Sequence, residues 1–177
     1  MSLRIWLQDH PRLLEWAYDL TYRLFRRADP LIRRFGYARA DRWLRSPEQA
    51  AKELLFDCRM CGQCILHSTG MTCPMTCPKK LRNGPCGGVR ANGHCEVKPN
   101  MRCVWVRAFE RSQRMALYRD ELLWIQPPAN RCLQGRSAWV NMLTGADANF
   151  PDGWRTLPSQ TAFAVEGLPT ARSNGHE

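Results

Sequence analysis

The chain has 177 residues, nine cysteines, seven tryptophans and a formal net charge of +10 at neutral pH. Its first residues lack the basic, apolar and small-residue order of a secretory signal, and no apolar stretch approaches the roughly 20 residues that cross a bilayer. We therefore expect a cytoplasmic protein without a transmembrane segment. In a reducing compartment a dense group of cysteines binds metal more readily than it forms disulfides, which argues against a disulfide scaffold.

Residues 1–57 are predicted to form a basic helical region. Within residues 11–27 apolar side chains recur every three or four positions, as on one buried face of a helix. These side chains are Leu13, Leu14, Ala17, Leu20, Leu24 and Phe25.

Two further helix starts are predicted in the same region. Asp29 followed by Pro30 indicates a second helix, because proline is favoured at the first helical position. Ser46 and Pro47, with Gln49 as the partner in a capping box, indicate a third. That helix is expected to lead directly into the cysteine-rich segment.

Residues 58–103 contain eight of the nine cysteines and are predicted to be the metal-binding core. The run CRMCGQC places Cys58, Cys61 and Cys64 three residues apart. Glycine and proline recur there, and neither helical nor strand periodicity is present. We therefore expect a loop-rich segment in which metal replaces an apolar core.

Residues 104–126 are predicted to form one helix that ends before Pro127 and Pro128. Its apolar residues lie roughly on one stripe and are Val106, Phe109, Met115, Tyr118, Leu122 and Ile125.

Residues 127–177 are rich in proline, glycine, asparagine and serine, and they carry isolated aromatic residues: Trp139, Phe150, Trp154 and Phe163. Such a segment cannot build a core alone, so we predict an extended C-terminal arm that docks on another surface. Packing on the chain's own helices is the alternative. The predicted fold class is mainly α, with a loop-rich, metal-stabilised cysteine-rich core and this arm.

The spacing of the first three cysteines indicates an iron-sulfur cluster. Three thiolates at this spacing bind three irons of a 4Fe-4S cluster and leave the fourth iron for a distant cysteine, whereas zinc sites pair two such cysteines. The later cysteines bring the total to eight, enough for two four-thiolate sites; they are Cys73, Cys77, Cys86, Cys95 and Cys103.

How the eight cysteines divide is a weaker prediction. In ferredoxin-type sequences, a cysteine that lies four residues after a neighbouring cysteine and precedes proline binds a different cluster from that neighbour. Cys77 lies four residues after Cys73, so this rule assigns Cys77 to the site of the first three thiols. Cys73 would then join the remaining cysteines in the second site, which could hold zinc just as readily. His67 and His94 are not expected to be ligands, and the isolated Cys132 is predicted to be a small, partly buried residue.

The positive charge has two interpretations. A metal-containing nucleic-acid-binding module would carry such a charge, but the aromatic and basic stripe of known modules is missing, so we expect no nucleic-acid partner. The alternative is counter-charge for anionic metal sites. Exposed cations in the core would also bind an acidic electron-donor protein. The candidates are Lys79, Lys80, Arg82 and Arg90.

The cysteine-rich core resembles a known family. The segments CRMCGQC, STGMTCPMTCPK, LRNGPCGGV, NGHCEV and CVWVRAF are similar to the methylenetetrahydrofolate reductase C-terminal domain family. The resemblance implies that all eight cysteines from Cys58 to Cys103 are metal ligands and that no residue is catalytic. Since a flavin-binding (β/α) barrel takes about 250 residues, flavin and folate are expected on a separate subunit.

The resulting functional hypothesis is an iron-sulfur subunit with one or two 4Fe-4S clusters. It would pass electrons between an external donor and the flavin of a methylenetetrahydrofolate reductase subunit, in one-carbon metabolism. A zinc-binding structural accessory subunit of the same reductase is the alternative. Either way the chain would be a non-catalytic part of an oxidoreductase.

Overall fold

The computed structural model describes residues 3–149. Its α-helices are α1 (Leu3–Gln8), α2 (Pro11–Phe35), α3 (Tyr37–Phe56), α4 (Val104–Ser112) and α5 (Ala138–Thr144). Short 3-10 turns lie at His67–Thr69, Pro74–Thr76, Arg119–Leu123 and Arg131–Leu133. Strand pairing within residues 3–149 is limited to two isolated bridges, Val89 with Cys95 and His94 with Arg102. The mainly helical fold class is confirmed.

The helix α2 continues through Pro30, so the predicted helix start at this position is wrong. Asp29 does not cap a new helix, because its carboxylate accepts hydrogen bonds from Arg33 at 3.0 Å and from the Tyr37 hydroxyl at 2.7 Å. The break comes at Gly36, whose φ of 97° is open to glycine and strained for other residues. A glycine, and not the proline, therefore separates α2 from α3.

The helix α3 begins at Tyr37 and passes through Pro47, so the predicted start at Ser46 is also wrong. Tertiary contacts favour the continuous helix, because Asp41 and Glu48, on either side of Ser46, both accept hydrogen bonds from Ser137. Glu48 also forms a buried ion pair with Lys52 at 2.5 Å. The helix ends at Phe56 and leads into Cys58, as predicted. No helix among residues 3–149 has the length and apolar character needed to span a bilayer.

The predicted buried face of α2 is only partly correct. Leu14 packs on a core cluster, and the Phe25 ring stacks on Trp139 with ring centroids 5.1 Å apart. The remaining apolar residues of that prediction face solvent: Leu13, Ala17, Leu20 and Leu24. The helix therefore carries a second apolar surface that the described residues do not cover.

A buried carboxylate ends the predicted helix of residues 104–126 early. Glu15 of α2 is only 2% exposed and accepts backbone hydrogen bonds from Ala116, Leu117 and Tyr118 at 2.9, 2.6 and 2.8 Å. These amides point to α2, and not to the preceding turn of a helix, so α4 stops at Ser112. The long helix was predicted wrongly because a distant residue competes for its hydrogen bonds.

The cysteine-rich core has an apolar interior of its own, which corrects the expectation that metal alone replaces one. One cluster of buried residues contains Leu66, Met71, Cys73 and Met115. A second contains Cys103, Trp105 and Ala108. Two of the predicted ligands are thus part of the hydrophobic packing.

Residues 127–149 pack on the chain's own helices, as the alternative interpretation held. Ser137 caps α5, donates its hydroxyl to Glu48 at 2.5 Å and donates its amide to Asp41 at 2.7 Å. Trp139 lies against α2. The other aromatic residues assigned to the docking arm, Phe150, Trp154 and Phe163, lie outside the described residues.

Candidate metal centre

Four cysteines line one small cavity between α3, the following loop and the segment before the second 3-10 turn. They are Cys58, Cys61, Cys64 and Cys73. The enclosed space is about 20 Å³, which is room for about one water molecule. Phe56, Ile65, Leu66 and Met75 contribute apolar side chains to its wall. Thiols from two loops therefore surround one largely apolar void.

Close backbone contacts hold the loop that carries the first three cysteines. Gly62 has a φ of 76°, and a Cβ at this position would lie 2.1 Å from the carbonyl oxygen of Leu133. The Gly62 carbonyl accepts a hydrogen bond from the Asn141 amide at 2.8 Å, and the Met60 carbonyl accepts one from the Gly135 N–H at 2.7 Å. The loop is thus fixed by the region after residue 130.

Gln63 lies at the centre of this arrangement and is 1% exposed. Its side-chain nitrogen donates to the Asp147 carbonyl at 2.9 Å, and its side-chain oxygen accepts from the Asn130 N–H at 2.6 Å. Its own carbonyl accepts from Arg82 at 2.9 Å. A buried side chain with these hydrogen bonds satisfied ties the loop to three distant segments of the chain.

Burial favours the protonated form of two of the four thiols. It raises the pKa of Cys58 to about 11 and that of Cys73 to about 12. Backbone N–H groups oppose this effect: Met60 donates to the Cys58 sulfur at 3.3 Å, and Met75 donates to the Cys73 sulfur. Metal binds the thiolate form of cysteine. The N–H groups of Met60 and Met75 therefore point at sulfur atoms that would accept hydrogen bonds if they were ligated.

Two buried cations border the same cavity. Burial alone would lower the pKa of Lys52. The neighbouring Cys64 and Glu48 together outweigh burial, so the pKa of Lys52 is raised. Burial lowers the pKa of Arg82, and Cys61 and Cys64 oppose that shift. Burying a charge is costly unless it is paired; Glu48 pairs with Lys52, and the Gln63 carbonyl accepts a hydrogen bond from Arg82.

Among the described residues, the donors around the cavity do not form a compact site for one ion. Among residues 3–149 no three cysteine, histidine or acidic side chains lie close enough together to hold one metal ion. Zinc at 2.3 Å from four sulfurs requires sulfur atoms about 3.8 Å apart, whereas a cubane separates its four thiolates more widely. The cavity therefore brings together four thiols, N–H donors to sulfur and two buried cations.

The cavity groups the cysteines differently from the predicted division. Cys73, and not Cys77, lines the cavity with the first three thiols. Cys73 is buried in the cluster formed with Leu66 and Met71. The 3-10 turn at Pro74–Thr76 then carries the chain away, so that Cys77 follows in an extended conformation.

The remaining four cysteines lie in a turn-rich segment that folds back on itself. Cys95 forms an isolated bridge with Val89, and the Cys103 N–H donates to the Gly93 carbonyl at 2.9 Å, which brings the segments that carry these two cysteines together. Cys86 lies 3.7 Å from a Glu96 oxygen. Lys79, two residues after Cys77, forms an ion pair with Glu96. These contacts gather the second group in one region.

Comparison with protein families agrees with the cysteine pattern. A family model described as the C-terminal region of methylenetetrahydrofolate reductase matches residues 37–131, more than half of the chain. The chain belongs to the methylenetetrahydrofolate reductase C-terminal family. This membership supports an association with that reductase. No curated protein and no solved structure gives a significant match.

The reductase C-terminal family match contains all eight predicted ligands but ends before α5. The hydrogen bonds from Gly135 and Asn141 to the cysteine loop therefore come from outside the matched segment. The long helix α2 also lies outside it. These parts of the chain add supports and surfaces that family membership does not explain.

Three other sequence predictions can be placed in the structure. His67 contacts Glu121 through Nδ1 at 2.5 Å, which occupies that nitrogen. Cys132 is exposed, and not partly buried as predicted. Arg82 is 8% exposed, so it borders the cavity and does not belong to a surface that holds an acidic donor.

A wider groove of about 540 Å³ lies beside the cavity and reaches Cys64 and Lys52. Its walls include five aromatic side chains, Tyr18, Tyr22, Tyr118, Trp124 and Trp139, beside charged ones such as Arg26, Glu121 and Asp147. Burial, followed by the neighbouring Cys64, raises the pKa of Tyr18 well above its usual range. The groove connects one ligand of the candidate centre with solvent.

Sequence reasoning missed the polar residues that shape the centre. Lys52 stands four residues after Glu48, a spacing that indicates a helical ion pair but not its burial. Gln63 lies between two of the predicted ligands, and nothing in the sequence marks its contacts with Asn130 and Asp147. Those contacts depend on chain segments more than 60 residues away.

Proposed function

We propose that the chain is the iron-sulfur electron-transfer subunit of a methylenetetrahydrofolate reductase complex. It would carry electrons between an external donor and the flavin of a separate catalytic subunit. The observation that carries this proposal is the convergence of Cys58, Cys61, Cys64 and Cys73 on one cavity bordered by buried cations.

The residues around the cavity have distinct roles in this proposal. The four thiolates would hold a 4Fe-4S cluster, which supplies one-electron redox chemistry when bound. Lys52 and Arg82 would offset its negative charge, and the N–H groups of Met60 and Met75 would hydrogen-bond ligated sulfur atoms. Such charges and hydrogen bonds adjust the reduction potential of a cluster.

The surroundings of the cavity suit electron exchange with a partner. The apolar wall limits water at the centre, while the aromatic groove gives a redox group on another protein an approach to Cys64. Lys80 and Arg90 are exposed near the second cysteine group and would attract an acidic donor protein. Cys77, Cys86, Cys95 and Cys103 would hold a second cluster or a zinc ion.

Metal analysis of anaerobically purified protein tests this proposal. We expect iron and acid-labile sulfide, with a broad visible absorption that bleaches on reduction with dithionite. Cys61→Ser should lose one cluster, whereas the matched control Cys132→Ser, at an exposed position, should keep the metal content of the original chain. Zinc at full occupancy without iron would instead support the structural accessory subunit and overturn electron transfer.

A further inference from the structure

Six large apolar side chains follow one another along the solvent side of α2. They are Leu13, Trp16, Leu20, Leu24, Leu31 and Phe35, and their exposed fractions range from 48% to 71%. At about 100° per residue they share one side of the helix, opposite the side on which Leu14, Tyr18 and Phe25 pack on the protein. We call this row the α2 stripe.

The α2 stripe is too extensive to be an ordinary feature of a free surface. Single exposed apolar residues are common, but contiguous apolar rows mark interaction sites. From Leu13 to Phe35 it runs about 33 Å at a rise of 1.5 Å per residue. The row lies entirely outside residues 37–131, which the family model matches.

The two edges of the α2 stripe differ in chemistry. Helical geometry places exposed arginines along one edge: Arg12, Arg23, Arg27 and Arg34. The opposite edge has only small side chains, which are Ala17, Thr21 and Ala28. A binding partner would therefore meet positive charge on one side and could approach the helix backbone closely on the other.

We infer that the α2 stripe is the surface that docks on the reductase subunit, in an apolar groove with acidic side chains along one border. This inference rests on the proposed function. Tryptophan and arginine are enriched at the energetic centres of protein interfaces. An amphipathic helix that binds in an apolar groove is a recurring mode of recognition. Because the arginines line only one edge of the stripe, they determine which way α2 points along the groove of the partner.

Other occupants fit the α2 stripe less well. A lipid surface is the same on both sides of a helix, and helices that lie on it carry cations on both edges. A second copy of the chain would oppose like charges, because α2 contains six arginines and three acidic residues. The asymmetry of the edges favours a protein partner with acidic groups on one side.

Binding of full-length metal-loaded protein to the purified flavin-bound reductase of the same organism tests the inference. We expect Leu20→Glu and Leu24→Glu each to weaken binding at least about tenfold. Leu117→Glu and Ile125→Glu are matched controls at positions 60% and 90% exposed outside α2, and they should change affinity less than about threefold. Arg27→Glu should weaken binding at low salt, whereas Arg131→Glu should not.

The outcomes separate this inference from the proposed function. If the original chain binds the reductase and the α2 variants bind equally well, the docking surface is wrong and the function stands. If the original chain binds no reductase, both fail.

Two further measurements identify a different occupant. Hydroxyl-radical footprinting should find Trp16 accessible in the free chain and protected in the complex; protection in the free chain would overturn the docking surface. Strong binding to phosphatidylglycerol vesicles that Leu20→Glu abolishes, without an effect of this variant on reductase binding, would assign the stripe to a membrane.

Discussion

The two groups of cysteines differ in how much of their geometry the protein supplies without metal. Cys58, Cys61, Cys64 and Cys73 surround a cavity held by buried hydrogen bonds from Gln63 and by the approach of residues 133–141. The second group lies on turns between residues 77 and 103. The charged contact that joins its segments, between Lys79 and Glu96, is solvent-exposed.

This difference separates two groups of candidate ligands within one small core. In the proposed function, metal at the first group would bind loops that buried hydrogen bonds already hold. The second group has fewer buried supports, so its geometry would depend more strongly on the proposed metal. Substitutions that are chemically similar should accordingly have much larger effects at the first site.

The largest difference is expected between two lysines that form ion pairs. Lys52→Met leaves the buried Glu48 without its cation, and removing one partner of a buried pair costs about 3–5 kcal/mol of folding free energy. Lys79→Met removes an exposed pair and should leave stability nearly unchanged. Urea unfolding of both variants in the metal-free form measures this contrast. Equal effects would show that Lys52 is not buried as described.

Two glycines provide a sharper comparison, because both have a positive φ. Gly62→Ala places a Cβ 2.1 Å from the Leu133 carbonyl oxygen, whereas nothing lies within 4 Å at Gly84. We expect Gly62→Ala to cost about 2–4 kcal/mol, from strain and overlap together. Gly84→Ala should cost about 1 kcal/mol, from backbone strain alone. Thermal unfolding and iron content of both variants provide the test, and a harmless Gly62→Ala would contradict the close approach.

A third effect is expected from pH in the reduced, metal-free protein. Burial raises the pKa of Cys58 from 9.0 to about 11 and that of Cys73 from 9.0 to about 12. The folded state then keeps protons that the unfolded state releases, so the contribution of these thiols is full below pH 9 and decreases as the pH rises towards 11–12.

Urea midpoints between pH 8 and pH 11 measure this dependence. The double variant Cys58→Ala/Cys73→Ala is the control, because it lacks both thiols and should show a flatter decline. Parallel curves for the two proteins would mean that the thiols are not buried in the metal-free form.

The sequence indicated which three thiols meet in the first loop better than it indicated the fourth thiol beside them. The CRMCGQC run was sufficient to bring Cys58, Cys61 and Cys64 together, because their spacing is local. The local sequence was not sufficient to choose between Cys73 and Cys77 as the fourth thiol, because that choice depends on the packing of Cys73 against Leu66 and Met71. A proline after each of these cysteines gives the same local signal in both places.

The helices show the same limit. Helices cover most of residues 3–56, in line with the helical region predicted there, but the prolines at 30 and 47 lie within helices and Gly36 separates them. Hydrophobic spacing could not reveal that Glu15 is buried, because its partners are backbone amides about 100 residues away. Where distant groups compete with local preference, sequence patterns alone do not identify the outcome.

The membership of the first site is the central claim, and iron analysis of paired variants tests it most directly. In a Cys86→Ser/Cys95→Ser background, which disables the second site, we expect one cluster to remain, detectable by electron paramagnetic resonance after reduction. Adding Cys77→Ser to this background should leave that signal and the iron content unchanged, whereas adding Cys73→Ser should abolish both. Loss of the cluster with Cys77→Ser and its retention with Cys73→Ser would contradict the account.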